Sequence, residues 1–568
     1  MHSRTLRRAG TGVLICALAS GLLLILSSEA GAQPLADAEE PLSQKAAAAV
    51  SSYDSQKLKW QPCLSRAEIP GLPQGYYRLQ CATMFAPLNW DVPQSGPPIR
   101  IRVSRLASTA EGEHDMLFTN PGGPGGEGVD LPLLMVSANR KKLMASQDIY
   151  GMDVRGTGGS SNLTCGGVQN PGIDPRVRSE ANLTLMLDAS ALSAQACDVA
   201  GRDLRQYVTT RQTVHDVDLL RRIVGQEKVN WLGYSAGTWM GAHYATLFPE
   251  RAGRMVFDSN VLFTRSWEDA FALQPRGFER RFESDFAPWV ARHHSEYRLG
   301  ATPEAVIRSY ERLRAAMTPD TPVEDAVTLD NVIAGTMYAK AMFPDAAAAL
   351  TELKGFLKAQ GSGRFRTAQR RAAAVEQRVA AIGRDRLRPF SADANSAVFL
   401  AITCQDTPWS ANRDSLITSS YEAGRQYPLI GWSTIIQPCA FWNRTGDAGL
   451  ARPTGHGLPP VLMVQSEHDP ATPIEGARTA AAEFAGARLL TVTGEGDHGL
   501  YAGGNKCVDK SVDSFVIDGR LPAEGTTCKG TAMPGADLHT MRATGLPVKA
   551  TNPLLALRQI SSLVGSFN

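Results

Sequence analysis

Val229-Asn230-Trp231-Leu232-Gly233-Tyr234-Ser235-Ala236-Gly237 is the stretch whose reading decides the fold. Val229 to Leu232 has the character of a short buried strand, and Thr238 to Phe248 reads as a helix that Pro249 ends. Gly-x-Ser-x-Gly lies between them, so Ser235 is predicted at a sharp strand-to-helix turn. Glycines suit the positions on either side, because side chains there would meet the adjoining strand and helix. Backbone N–H groups at the start of the helix would point toward the serine. Ser235 is therefore the candidate nucleophile.

A serine hydroxyl attacks only when a base takes its proton, and the base needs an acid to fix its tautomer. In the α/β-hydrolase fold, which this elbow suggests, the chain order is Ser, then Asp or Glu, then His, each just beyond a strand. The run Val461 to Val464 leads into Gln465-Ser466-Glu467-His468-Asp469-Pro470, and Arg488 to Thr493 leads into Gly494-Glu495-Gly496-Asp497-His498-Gly499. Asp469 and His498 fit both order and placement. Glu467 is the competing acid, while His468 precedes the acid and sits on the wrong loop. Asp497 is adjacent to His498 and cannot easily turn back onto its neighbour's ring. His243 and the pair His293-His294 fall on expected helices, away from strand ends.

An oxyanion needs donors already in position. Asn120-Pro121-Gly122-Gly123-Pro124-Gly125-Gly126 follows the apolar run Met116 to Thr119. The N–H groups of Gly123 and Ala236 are the expected pair of donors, with Gly122 the nearest competitor. As a phosphate loop the same glycines lack the Gly-Lys-[Ser/Thr] ending, which argues against nucleotide binding.

Further strand signals occur at Ile149 to Met152 and Met255 to Phe257, between helical patterns, and imply a mostly parallel sheet with helices on both faces. Residues 262–397 differ. They are rich in Ala and Arg, with amphipathic stretches such as Pro303 to Met317 and Thr367 to Ile382, and read as a helical cap inserted into the core. Strand signals are expected to resume at Val398 to Thr403. The core would then comprise 60–261 and 398–568, the latter with a C-terminal tail.

The first residues look like a targeting segment. Arg4, Arg7 and Arg8 precede an apolar run from Val13 to Leu26, and Ala30-Gly31-Ala32 supplies a cleavage site before Gln33. The run falls short of the ~20 apolar residues a bilayer span needs, so 1–32 is read as a signal peptide, with no stable membrane insertion after cleavage. Residues 33–59 read as a flexible arm. Cys63, Cys81, Cys165, Cys197, Cys404, Cys439, Cys507 and Cys528 then form an even set, which in an exported chain implies disulfides, with sequential pairing favoured by closeness along the chain. No Cys/His spacing suits a metal. A formal charge of +2, from 58 basic and 56 acidic residues, offers no field that would recruit nucleic acid.

Asn120 to Gly126, Asp153-Val154-Arg155-Gly156, the Gly-Tyr-Ser-Ala-Gly elbow and the Asp469 and His498 loops together resemble the proline iminopeptidase and tripeptidyl aminopeptidase family. Cys404-Gln405-Asp406 and the tail bearing Cys507 and Cys528 are similar to its exported tripeptidyl branch. The resemblance spans roughly residues 60 to 530. It implies a serine aminopeptidase hydrolysing peptide bonds near a free N-terminus, with a structural role for Asp153 and Arg155; acyl transfer by such a triad needs no cofactor or metal, and the helical insertion, by restricting access, favours short peptides. Two departures from that branch stand out: Glu127 where a small residue is usual, and Asp497 where glycine is commoner. An exopeptidase usually recognises the substrate ammonium with a carboxylate. Glu268, Asp269, Glu279 and Asp406 are candidates that the sequence does not separate. A carboxylesterase of the same fold acting on short acyl esters is the alternative.

Overall fold

The computed structural model describes residues 50–535, apart from 68–70, 168–171, 318–325, 362–366, 368–370, 372, 374–392, 444–445 and 448. The expected signal peptide, most of the expected arm, most of Thr367 to Ile382 and the end of the tail lie outside the described residues. In chain order the strands are β1 (Gln61–Pro62), β2 (Gln80–Ala86), β3 (Ile99–Leu106), β4 (Asp115–Asn120), β5 (Gln147–Met152), β6 (Val229–Tyr234), β7 (Ala252–Asp258), β8 (Val461–Ser466), β9 (Ala487–Thr493) and β10 (Thr527–Lys529). They lie side by side as β1-β2-β3-β5-β4-β6-β7-β8-β9-β10. From β5 to β10 every pairing is parallel, while β1, β2 and β3 form an antiparallel edge that joins β5. This strand order and mixture of directions is the α/β-hydrolase fold.

Strand side chains alternate between two apolar layers. Phe118, Trp231, Phe257 and Met463 enter one, and their neighbours Leu117, Leu232, Val256 and Leu462 enter the other. Both faces are covered, which is why the central strands read as continuous apolar runs instead of an alternating pattern. A third cluster, including Phe282, Phe286, Trp289, Ile333, Phe343 and Leu350, belongs to the helical residues between β7 and β8. Among the described residues of 262–397 every regular element is a helix. Pro303–Ala315, for example, starts at a Thr302 cap whose side chain accepts the Ala305 N–H.

Two expectations are corrected. Val398 to Thr403 is the middle of a helix, Ala394–Gln405. From Ala397 to Gln405 every residue of that helix but Phe399 is buried, so its apolar character there runs all round and masks the helical period, and a short apolar run then resembles a buried strand. Ordered structure also begins before Trp60: residues 50–54 are helical, Asp54 pairs with Arg222, and the Gln56 side chain exchanges two hydrogen bonds with the Phe85 backbone.

The eight cysteines pair in sequence as Cys63–Cys81, Cys165–Cys197, Cys404–Cys439 and Cys507–Cys528. The last bond ties β10 to the helix Lys506–Asp518.

Candidate active site

Ser235 follows β6 and precedes the helix Ala236–Leu247. Its backbone lies at φ 56° and ψ −125°, a conformation that costs a non-glycine residue about 1–3 kcal/mol. Neighbouring contacts hold it there: its N–H donates to Asp258 O (2.9 Å), and Thr238 Oγ1 donates to its carbonyl (2.6 Å). A Cβ on Gly233 would stand 2.3 Å from Gly237 O, and one on Gly237 would stand 2.7 Å from Asn120 O. The flanking glycines are thus required by close approach of three backbone segments.

The Asn120 to Gly126 segment passes directly over this turn. A Cβ on Gly122 would come within 2.3 Å of Tyr234 O. The Gly122 N–H is already engaged, donating to Asn120 Oδ1 at 2.9 Å. Gly123, Ser235 and Ala236 share the wall of one cavity of about 120 Å³. The opposite side of the glycine segment rests on the helix Ala394–Gln405, where a Cβ on Gly125 would meet Val398 at 3.0 Å.

Asp469 lies just past β8 and is fully buried. Its Oδ1 accepts N–H groups from Ala471 (3.0 Å) and Thr472 (2.8 Å), and both its carboxylate oxygens stand 3.0 Å from His498 Nδ1. Nδ1 facing a carboxylate carries the proton, which leaves Nε2 as the basic nitrogen. Thr472 Oγ1 approaches Nδ1 at 3.4 Å, and the Tyr338 ring meets the imidazole edge-on at 5.3 Å. Thr472 and Tyr338 also line the cavity, so the imidazole adjoins it.

The competing residues have other partners. Glu467 accepts the Gly494 N–H, and His468 Nδ1 pairs with Asp285. Asp497 faces away from His498, accepting from Arg281 (2.6 Å) and from the Lys340 N–H (2.7 Å). His243 is buried on its helix, and burial lowers its pKa to about 3. His293 is held by Trp289 O. Asp153 accepts the N–H groups of Gly128, Val129 and Gly159, and Arg155 makes a fully buried pair with Asp216.

None of the four candidate ammonium anchors lines the cavity. Glu268 holds Ser410 and Ala411, and Asp269 forms a capping box with Ser266. Glu279 accepts the Leu429 N–H and burial raises it to about 7. Asp406 accepts from Thr210 N–H and Trp239 Nε1, and burial raises it to about 6. Glu127 is half-buried and is not a cavity wall.

Asp258, at the end of β7, was not marked by the sequence. Its side chain accepts the N–H groups of Leu500 (3.0 Å) and Tyr501 (2.7 Å), just after His498, while Ser259 Oγ accepts from Gly499 N–H (2.7 Å). Burial pushes its carboxyl up to about 7, against the pull of those N–H groups and of His498. One strand end therefore fixes the Ser235 backbone and the His498 loop together. The signal that could have found it is a carboxylate at the carboxyl end of a central strand, where sites on such sheets gather.

Comparison with known proteins matches residues 116–322 to a family model described as alpha/beta hydrolase fold and residues 427–528 to one described as TAP-like protein. The chain is 32% identical to a tripeptidyl aminopeptidase of Streptomyces lividans over 84% of its own length and 87% of that protein. It is 26% identical to the serine protease Hip1 of Mycobacterium tuberculosis, covering 83% of this chain and 91% of the relative. A protein named carboxylesterase B, also from Mycobacterium tuberculosis, is 28% identical, covering 79% of this chain and 86% of the relative.

Proposed function

The chain belongs to the tripeptidyl aminopeptidase family of α/β-hydrolases, and we propose that it is an exported serine aminopeptidase that cleaves short peptides near a free N-terminus. Ser235 is the nucleophile, His498 the base and Asp469 the acid that orients it. The observation that carries this reading is the buried His498–Asp469 pair beside a cavity whose wall holds Ser235, Gly123 and Ala236.

The chemistry runs in two halves. Ser235 Oγ bonds to the peptide carbonyl carbon as its proton passes to His498 Nε2, and the carbonyl electron pair moves onto oxygen. The N–H groups of Gly123 and Ala236 hold that oxyanion; the Gly122 N–H, spent on Asn120, does not compete. Collapse breaks the C–N bond, and the departing amine takes the proton from Nε2. Water then attacks the acyl-enzyme, giving its proton to the same nitrogen, and Ser235 recovers it as the free carboxylic acid leaves. Asp469 stabilises the imidazolium in both halves without taking the proton.

Export is supported by the basic, apolar and small-residue pattern of residues 1–32 and by four disulfides, which persist in oxidising compartments. Among the described residues no helix is long and apolar enough to cross a membrane.

The test compares wild type with Ser235→Ala on free and N-acetylated tripeptide anilides and on a short acyl ester. Wild type should cleave the free-amine anilides, acetylation should abolish the reaction, and Ser235→Ala should be inactive. Turnover of the ester alone would instead favour the carboxylesterase reading, toward which the similarity to carboxylesterase B points. Unimpaired Ser235→Ala would sink the mechanism.

A further inference from the structure

Seven large apolar or aromatic side chains are markedly exposed among the described residues, and three of them lie on one helix, Glu180–Arg205: Leu185 (53% exposed), Leu192 (63%) and Val199 (73%). A fourth, Val177, stands just before that helix, where its carbonyl accepts from Asn182 Nδ2. Exposed leucines scattered singly need no explanation, but several gathered on one face mark a contact surface. The spacing is seven residues each time, so the three line up over about 21 Å with a drift of about 20° per step. Ala189 and Ala196, both half-buried, fall between them. The resulting alternation of four and three residues is the pattern by which one helix packs along another, and the two alanines let the backbones come close.

The opposite face of the same helix is fixed. Met186, Leu187, Ser190, Ala194 and Cys197 are buried, Cys197 is bonded to Cys165, and the Ser179 side chain caps the first turn. The regular backbone ends at Arg202 (φ 47°, ψ −142°), just beyond the stripe. The apolar side chains are thus carried on a rigid element that gives up little freedom when it is covered. The helix contains no lysine, and of its two arginines Arg205 is buried. It therefore lacks the cationic flank with which a helix settles on a lipid surface, and its cover is protein.

We infer that this stripe is the seam of a homodimer, covered by the same helix of a second copy of this chain lying antiparallel, with Leu192 on the twofold axis. The stripe matches itself in that arrangement: Leu192 meets Leu192 of the second copy, and Leu185 meets Val199 of the second copy in two equivalent places. Charge favours the antiparallel direction. Asp188 borders the stripe and is paired with Arg413 of its own chain. It would lie against Ala196 of the second copy, about 12 Å along the helix from the second copy's Asp188, whereas a parallel pair would set the two aspartates side by side. Glu180, at the start of one helix, comes alongside Arg202 at the end of the other, and the helix dipoles oppose. The exposed side chains present on the order of 400 Å² per protomer, and with the flanking Ala181, Thr184 and Gln195 two copies together cover more than the ~1,000 Å² that a specific interface requires.

The test is sedimentation velocity of the full chain over a range of concentrations, as wild type and as Leu192→Glu, joined to cysteine cross-linking read on non-reducing gels. Wild type should shift with concentration to a species of twice the protomer mass. Leu192→Glu places two carboxylates on the axis and should raise the dimer Kd by about 100-fold or more. Its melting temperature should stay the same, because Leu192 is exposed in the protomer. On mild oxidation Leu192→Cys should link to itself, and an equimolar mixture of Leu185→Cys and Val199→Cys should link across copies, whereas Leu185→Cys alone should not. These cross-links decide the matter even if the glutamate variant fails to fold. A wild-type chain that remains a protomer at on the order of 100 µM would overturn the inference; shielding of the Leu192→Cys thiol from maleimide would then indicate residues 536–568 of the same chain as the cover, and flotation with phosphatidylcholine vesicles a lipid surface. A dimer left intact by Leu192→Glu would place the seam elsewhere, and Leu185→Cys linking to itself would refute the antiparallel pairing.

Discussion

Asp469 is held by two backbone N–H groups as well as by His498, so its geometry does not depend on its charge alone. Asp469→Asn should therefore fold, yet present an amide that no longer selects the Nδ1-protonated tautomer. We expect kcat to fall about 1,000- to 10,000-fold with KM little changed; steady-state kinetics beside a melting curve checks this, and a tenfold loss or less would refute it. Asp258 yields a prediction in pH. Its folded pKa, about 7, lies above the model-compound value of 3.8. The folded state thus holds its proton where the unfolded chain has released it, and the associated stability is full below about pH 4 and lost as pH rises through about 7. Wild type should lose stability relative to Asp258→Asn across that window, as measured by urea unfolding at a series of pH values; a constant difference would contradict the assignment. The two carboxylates also differ in how legible they are. Asp469 sits in a loop punctuated by proline after a clear apolar run, in the order that a serine nucleophile demands. Asp258 carries no local motif, because its partners are backbone groups more than two hundred residues away.

At the scale of elements, the helices between β7 and β8 do more than cover the site. Arg281 reaches Asp497, the Lys340 N–H reaches the same carboxylate, Lys340 Nζ pairs with Glu495 (2.5 Å), and Tyr338 O accepts the His498 N–H (2.9 Å). The short segment 338–340 is a strap across the loop that carries the imidazole. Asp497→Asn keeps an acceptor for Lys340 but removes one of the two carboxylates, with Asp285, that face fully buried Arg281, and should loosen the loop. A displacement on the order of 1 Å costs about 100-fold in rate, so we expect kcat to fall by about 10- to 100-fold with a smaller change in KM. An unchanged kcat would show that the strap is only structural. This role also accounts for an aspartate where the resemblance leads one to expect glycine. Asp497 is legible in the sequence as the neighbour of His498, whereas the strap is not, since two of its bonds involve backbone atoms of the cap. The helix Ala394–Gln405 resembles a strand for a related reason: beyond Ser396 it is packed into the protein and shows no polar face. Strands β4 to β9, by contrast, were readable because covered parallel strands make short apolar runs between turn residues.

Across the whole molecule, four disulfides close loops with sequence separations of 18, 32, 35 and 21 residues. Loop-closure entropy alone assigns each about 3 to 4 kcal/mol. Reduction and alkylation should lower the melting temperature by about 10 °C, read by calorimetry with and without reductant, whereas an unchanged transition would mean that the apolar layers suffice alone. Sequential pairing was suggested by proximity along the chain, but β10 was not foreseen. It is three residues long, and only its bond through Cys528 and its pairing with β9 distinguish it from coil.

Tyr338 O, the β7 end and the His498 loop belong to parts of the chain made at different times. A ribosome that has delivered residues up to about 490 has made Ser235 and Asp469, the proposed nucleophile and acid, but not His498, the proposed base, whose N–H is held by Tyr338 O of the cap. On the proposed mechanism, synthesis therefore yields no working peptidase until nearly the last of the sheet is present.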